Sequence, residues 1–156
     1  MKNKNLVLIS TDVKAGGIST MIGIHAAALI KEGYKISVIL YKTSDAISSI
    51  EYCTKKIHNK DNFLTVHKYN WLDSILLKFG LSKWILNIVN KCDICFVHNA
   101  RLIDTIKKNS IKPVFAVNHT AKISQLKYFK KADMIFSVNH IINDQLIDLG
   151  VSKNKC

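Results

Sequence analysis

"LVLISTDVKAGGISTMIGIHAAALIKEGYKISVILY", residues 6–41, carries the pattern that sets the fold. Its first part, 6–10, is a short apolar run with turn-forming residues behind it, the sequence form of a strand buried on both faces. Over 18–32, Ile18, Met21, Ile22, His25, Leu29 and Ile30 fall on one helical stripe. Gly33 stands where helices commonly stop, and a second apolar run, 34–41, follows at once. Strand, helix and strand joined this tightly make a β-α-β unit, which requires parallel strands and a right-handed crossover.

Outward from this unit the alternation continues. Residues 62–66 read as a weaker third strand, and 71–90 as one long or broken helix with Gly80 as the interruption. A fourth strand is expected over 92–99, a helix over 101–109 and a fifth strand over 112–119. Residues 121–131 read as helical, 132–138 as a sixth strand, and 141–150 as a last helix closed by Gly150. The expected class is α/β: a single Rossmann-like domain, a doubly wound parallel sheet of about six strands with helices on both faces.

Composition narrows the functional classes. The 156 residues suffice for one domain with a real core, and 48% are apolar with a single proline, which is globular composition. No apolar stretch near the start is long enough for a signal peptide or a spanning helix, so a cytoplasmic location is expected. The net charge of +12 comes almost wholly from lysine, with Arg101 the only arginine. Nucleic-acid readers favour arginine and interleaved aromatics, so no nucleic-acid partner is expected. Diffuse lysine suits an anionic membrane surface, phosphorylated substrates, or simply the codon bias of an AT-rich genome.

Ligands of open parallel sheets bind beyond the carboxyl ends of the strands, where the strand order reverses. Beyond the first strand stand Asp12, Lys14, Gly16 and Gly17; beyond the second, Lys42, Thr43 and Ser44. The fourth ends in His98 and Asn99, the fifth in Asn118, His119 and Thr120, and the sixth in Ser137, Asn139 and His140. Gly16-Gly17 is not the G-x-G-x-x-G of a dinucleotide fold. It offers a tight turn with bare amides at a helix N-terminus, a place for anionic oxygen. Lys14 could reach that anion, and the hydroxyls of Ser19 and Thr20 could add donors. The alternative is that the glycines only let the loop pack closely.

These residues, taken in order, resemble one family. A first strand, a Gly-Gly loop, a helix ending in "KEGYKISVI", strand ends "VHN" and "VNHT", and the late segment "ADMIFSVNHIINDQLIDLGVSKNK" are similar to the amino-terminal domain of family 4 glycosyltransferases, which have the two-domain GT-B fold. The resemblance covers essentially the whole chain. It implies transfer of a sugar from a nucleotide-diphosphate donor to a glycan or lipid acceptor, with retention at the anomeric carbon and with neither metal nor cofactor. It implies that Gly16 and Gly17, with Lys14, approach the donor diphosphate, and that His119 lies at the reacting sugar as the catalytic histidine. Asp12, His98, Asn99, Asn118, Thr120 and Ser137 then form the acceptor-side cleft.

The family's carboxyl-terminal domain, which holds most of the nucleotide, has no counterpart here. The chain is therefore expected to be a truncated or split half, completed by a separate carboxyl-terminal chain, and not to transfer sugar unaided. The alternative is a Rossmann-like binding module for an anionic or phosphorylated ligand without catalysis. Other features read more plainly. Cys92 and Cys95 have redox or zinc half-site spacing but no second pair, so they read as buried small hydrophobes. His25 reads as a core histidine. Residues 71–90, with two tryptophans and Lys78 and Lys83, fit either a core helix or a basic amphipathic surface docking on the inner face of the plasma membrane.

Overall fold

Strand and helix alternate as expected in the computed structural model, which describes residues 4–14, 16–119 and 122–156. Strand β1 (Asn5–Ile9) leads through the glycine loop into α1 (Gly17–Lys31) and on to β2 (Lys35–Tyr41). Next come α2 (Ala46–Thr54), β3 (Leu64–Tyr69), and the helix pair α3 (Trp71–Lys78) and α4 (Lys83–Lys91). The series continues with β4 (Ile94–Val97), α5 (Ala100–Asn109), β5 (Val114–Asn118), the one-turn α6 (Leu126–Phe129), β6 (Met134–Ser137) and α7 (His140–Asp148).

All six strands are parallel, in the order β3-β2-β1-β4-β5-β6. β1 is central, with Leu8 opposite Val38 on one side and Phe96 on the other. The order reverses between β1 and β4, so their carboxyl ends flank the crevice where such sheets take ligands. Alternation along β1 feeds two cores. Val7 and Ile9 join residues of the later helices, among them Ile85, Ile103 and Leu146. Leu8 joins Ile22, Ala26 and Ile30 of α1 and Ala46 and Ile50 of α2. Helices thus lie on both faces, although Met134 and Phe136 of the edge strand β6 stay exposed.

Helices α1 and α2 pack closely because Gly23 has no side chain. A Cβ there would lie 2.7 Å from the backbone oxygen of Ser49, which has no rotamer by which to yield. Gly23→Ala is therefore expected to destabilise the fold by about 1–3 kcal/mol, despite alanine's better helix propensity. The urea midpoint would report it; an unchanged midpoint would mean the helices separate freely.

Two local expectations need correction, and helix α2 answers to none of the expected elements. The third strand lies at Leu64–Tyr69 rather than 62–66; Lys60–Asn62 is a 3-10 turn. As an edge strand β3 is half exposed, so its polar second half carries no apolar run to mark it. The stretch 71–90 takes the broken form of its expectation: two helices separated at Gly80, whose φ of 72° favours glycine. Residues 122–131 hold only the 3-10 turn Ile123–Gln125 and α6, and Ala121 lies outside the described residues.

Candidate functional site

The loop after β1 is pinned before it reaches the glycines. The Ser10 hydroxyl donates to the Asp12 carboxylate at 3.0 Å and accepts from the Asp12 amide at 3.1 Å. Tyr69 OH donates to the Ser10 carbonyl from β3, and the Ser44 hydroxyl donates to the Asp12 carbonyl from beyond β2. Asn99 ties the next strand to this loop: its Nδ2 donates to Thr11 Oγ1 at 2.6 Å, while its Oδ1 accepts from the Arg101 amide and caps α5. Both ends of the Asn99 amide are thus occupied within the protein.

Gly16 and Gly17 are glycines for different reasons. Gly16 has φ 157° and ψ −172°, a conformation that residues with a Cβ rarely adopt. Gly17 opens α1 without positive φ, and a Cβ built on it would meet nothing within 4 Å. The fold itself leaves room for a side chain at Gly17. Among the described residues no side chain caps α1, although the first amides of a helix have no intrahelical acceptor. The hydroxyls of Ser19 and Thr20 donate to the Lys14 and Gly16 carbonyls, so they brace the loop instead of lining the cleft as donors.

Two adjoining hollows open here. One, of about 430 Å³, is lined by Asp12, Lys14, Gly16, Gly17 and Asn99. The other, of about 200 Å³, is lined by Asp12, His98, Asn99, Asn118, His119 and Lys122. Asp12, Ile18 and Asn99 wall both, so the glycine loop and the histidines border one continuous crevice. A further hollow beside Asn5, Lys35 and Lys91 lies at the amino-terminal end of β1 and β2, away from the crevice. Among the described residues no cluster of side chains could hold a metal.

Most sequence-derived candidates therefore meet. Ser137 does not: it lines a separate hollow beside His140, and its hydroxyl donates to Asn143. Thr120 lies outside the described residues. Sequence reading passed over Lys122, which brings a second cation to the crevice, and placed His25 in the core, whereas it is half-buried with its ring centroid 5.3 Å from that of His98. His98 is buried, and desolvation together with its imidazole neighbours lowers its pKa to about 3. Burial lowers His119 and His25 as well, with Asp12 pulling His119 the other way. At neutral pH the cluster is uncharged, and the crevice takes its positive charge from the lysines. Cys92 and Cys95 are buried free thiols with raised pKa, which keeps them protonated and inert.

The chain shares its fold with Anabaena HepE, whose crystal structure holds UDP and glucose. The two superpose with a TM-score of 0.66 at 11% identity, over 97% of this chain and 42% of HepE. The chain thus spans less than half the length of HepE. No protein-family profile and no curated protein sequence matches. At this identity the likeness to HepE establishes the fold and leaves the chemistry to the residues of the crevice.

Proposed function

We propose that the chain is the amino-terminal, acceptor-side domain of a retaining GT-B glycosyltransferase of the family 4 type. The observation that carries this reading is the common wall of Asp12, Ile18 and Asn99, which joins a side-chain-free helix start to a histidine at the next strand ends. The bare turn of Gly16-Gly17, with Lys14, suits the diphosphate of a nucleotide sugar. His119 suits the sugar, as a fixed polar group where charge develops. The likeness to HepE, which binds UDP and glucose, supports a nucleotide sugar as substrate. An acceptor would enter the hollow lined by His98, Asn118 and His119. Catalysis needs both substrates held in near-attack geometry, so a second domain, on this polypeptide or a separate one, would supply the rest of the nucleotide site.

The experiment is a titration of the chain with UDP-glucose and with inorganic pyrophosphate, followed by amide chemical shifts. Shifts confined to residues 14–20 and around His119 are expected. Binding without sugar transfer, even when a second domain is supplied, would favour the non-catalytic binding module instead.

A lipid acceptor and a peripheral membrane contact are part of the same proposal. No helix among the described residues is long and apolar enough to cross a membrane. Helix α4 buries Ile85, Leu86 and Val89 in the core, but α3 buries only Leu77. Around α3, Trp71, Leu72, Ile75, Phe79 and Leu81 are exposed, with Phe79 at 74%, and Lys78 and Lys83 flank them. Apolar wedges between lysines suit an anionic bilayer surface. Co-sedimentation with phosphatidylglycerol vesicles is expected, falling roughly tenfold for each of Trp71→Ser and Phe79→Ser. Equal sedimentation with neutral vesicles, or none, would remove the membrane from the proposal.

A further inference from the structure

We infer that His98 is a positioning residue: its Nδ1–H holds His119 in the Nδ1–H tautomer, so that His119 meets a ligand in the crevice as a hydrogen-bond donor. Three imidazoles from separate elements gather at this end of the sheet, His25 from α1, His98 from beyond β4 and His119 from beyond β5. The rings of His98 and His119 stack with centroids 5.6 Å apart, and His98 Nδ1 lies 3.3 Å from His119 Nε2. One proton lies between those nitrogens when they bond, and either ring could supply it.

The surroundings of His98 decide which. The residue is 3% exposed, and its Nε2 has no hydrogen-bond partner among the described residues. If His119 donated, His98 would carry its own proton on Nε2, a buried N–H with no acceptor among the described residues. Folded proteins rarely leave such a group, because it loses its hydrogen bond to water without replacement. If His98 donates, its Nε2 keeps only a lone pair, which is the smaller loss. A doubly protonated His98 is disfavoured by its burial and by the neighbouring rings of His25 and His119.

A neutral His119 that accepts at Nε2 carries its proton on Nδ1. At that nitrogen it can donate to an oxygen lone pair, on a sugar hydroxyl or a phosphate, and cannot act there as a base. Protonating His119 would set an Nε2–H against the Nδ1–H of His98, so the contact opposes the cation as burial does. The part His119 plays toward a nucleotide sugar rests on the function proposed above; the tautomer does not.

Long-range ¹H–¹⁵N correlation of the side-chain nitrogens, on the ¹⁵N-labelled chain at neutral pH, tests it. His119 is expected to give a protonated-type Nδ1 and a bare-type Nε2, and His98 the same. The carboxamide of His98→Asn can place an N–H near the old Nδ1 and should keep the His119 pattern. His98→Leu should move it toward the Nε2–H form that an unconstrained imidazole prefers, and should weaken UDP-glucose binding about tenfold. An Nε2–H tautomer for His119 in the unaltered chain overturns the inference, whether or not either variant folds. Absence of UDP-glucose and pyrophosphate binding by the unaltered chain, with the tautomer as inferred, would instead count against the proposed function.

Discussion

Gly17→Val is expected to abolish binding of UDP-glucose and pyrophosphate while leaving the fold at least as stable as before. The reasoning starts from what the protein itself asks of this position. A Cβ at Gly17 would touch nothing within 4 Å, and its φ lies in no region reserved for glycine. Glycine at the head of α1 therefore costs helix stability, up to about 1 kcal/mol, without a packing reason. What it leaves open is the approach to the amides of the first helical turn. An isopropyl group would occupy the place where phosphate oxygens must come within hydrogen-bond distance. The loss should be a hundredfold or more, about 3 kcal/mol. Gly16→Ala should behave in the opposite way. Its Cβ also meets nothing, but a φ of 157° strains any residue other than glycine, so stability should fall by about 1–3 kcal/mol. Two adjacent glycines would then separate into one needed for the backbone and one needed for a ligand. Retention of affinity in Gly17→Val would reduce both to loop geometry.

That division was not legible in the sequence, although the fold largely was. Buried parallel strands appear as apolar runs, so β1, β2, β4 and β5 each announce themselves, and the edge strand β6 keeps an apolar run although Met134 and Phe136 are exposed. Helix α2 escaped because its three buried positions, Ala46, Ile50 and Thr54, are spaced by four but sit among serines, with no side-chain cap to mark its start. Strand β3 escaped in part because an edge strand carries polar residues such as His67 and Lys68. The crevice was legible as a set of strand ends, because the rule that places it depends only on sheet direction. The pairing within it was not. His25, His98 and His119 meet through the sheet order β1-β4-β5, and the spacing of 73 and 94 residues from His25 gives no sign of it. Asn99 lines the crevice as its place after a strand suggests; its further part as the cap of α5 and the tie to Thr11 emerges only from three-dimensional contacts.

The histidine cluster also makes stability depend on pH in a definite direction. In the unfolded chain His98 titrates near 6.5; in the fold its pKa lies at about 3. Below pH 6.5 the unfolded chain takes up a proton that the folded chain refuses. Stability from this group is therefore complete above about pH 6.5 and is lost progressively as pH falls toward 3. Between pH 7 and pH 5 the loss from His98 alone is about 2 kcal/mol, a large part of the 5–15 kcal/mol typical of a domain. His25 and His119 are lowered too and act in the same sense, with Asp12 offsetting part of the effect on His119. The ion-paired carboxylates Asp104 and Asp133, whose pKa values are lowered, lose their protective charge only below the ordinary carboxylate range. The window from pH 7 to 5 thus isolates the imidazoles. Urea midpoints should fall across it with an unchanged slope of free energy against denaturant, which would signify lost stability and not a change in the unfolded state. His98→Leu has no proton to refuse, so its midpoint should fall by correspondingly less over the same interval. An equal fall in both proteins would mean that His98 is solvated and titrates normally, and with it would go the dry contact that fixes the proton of His119.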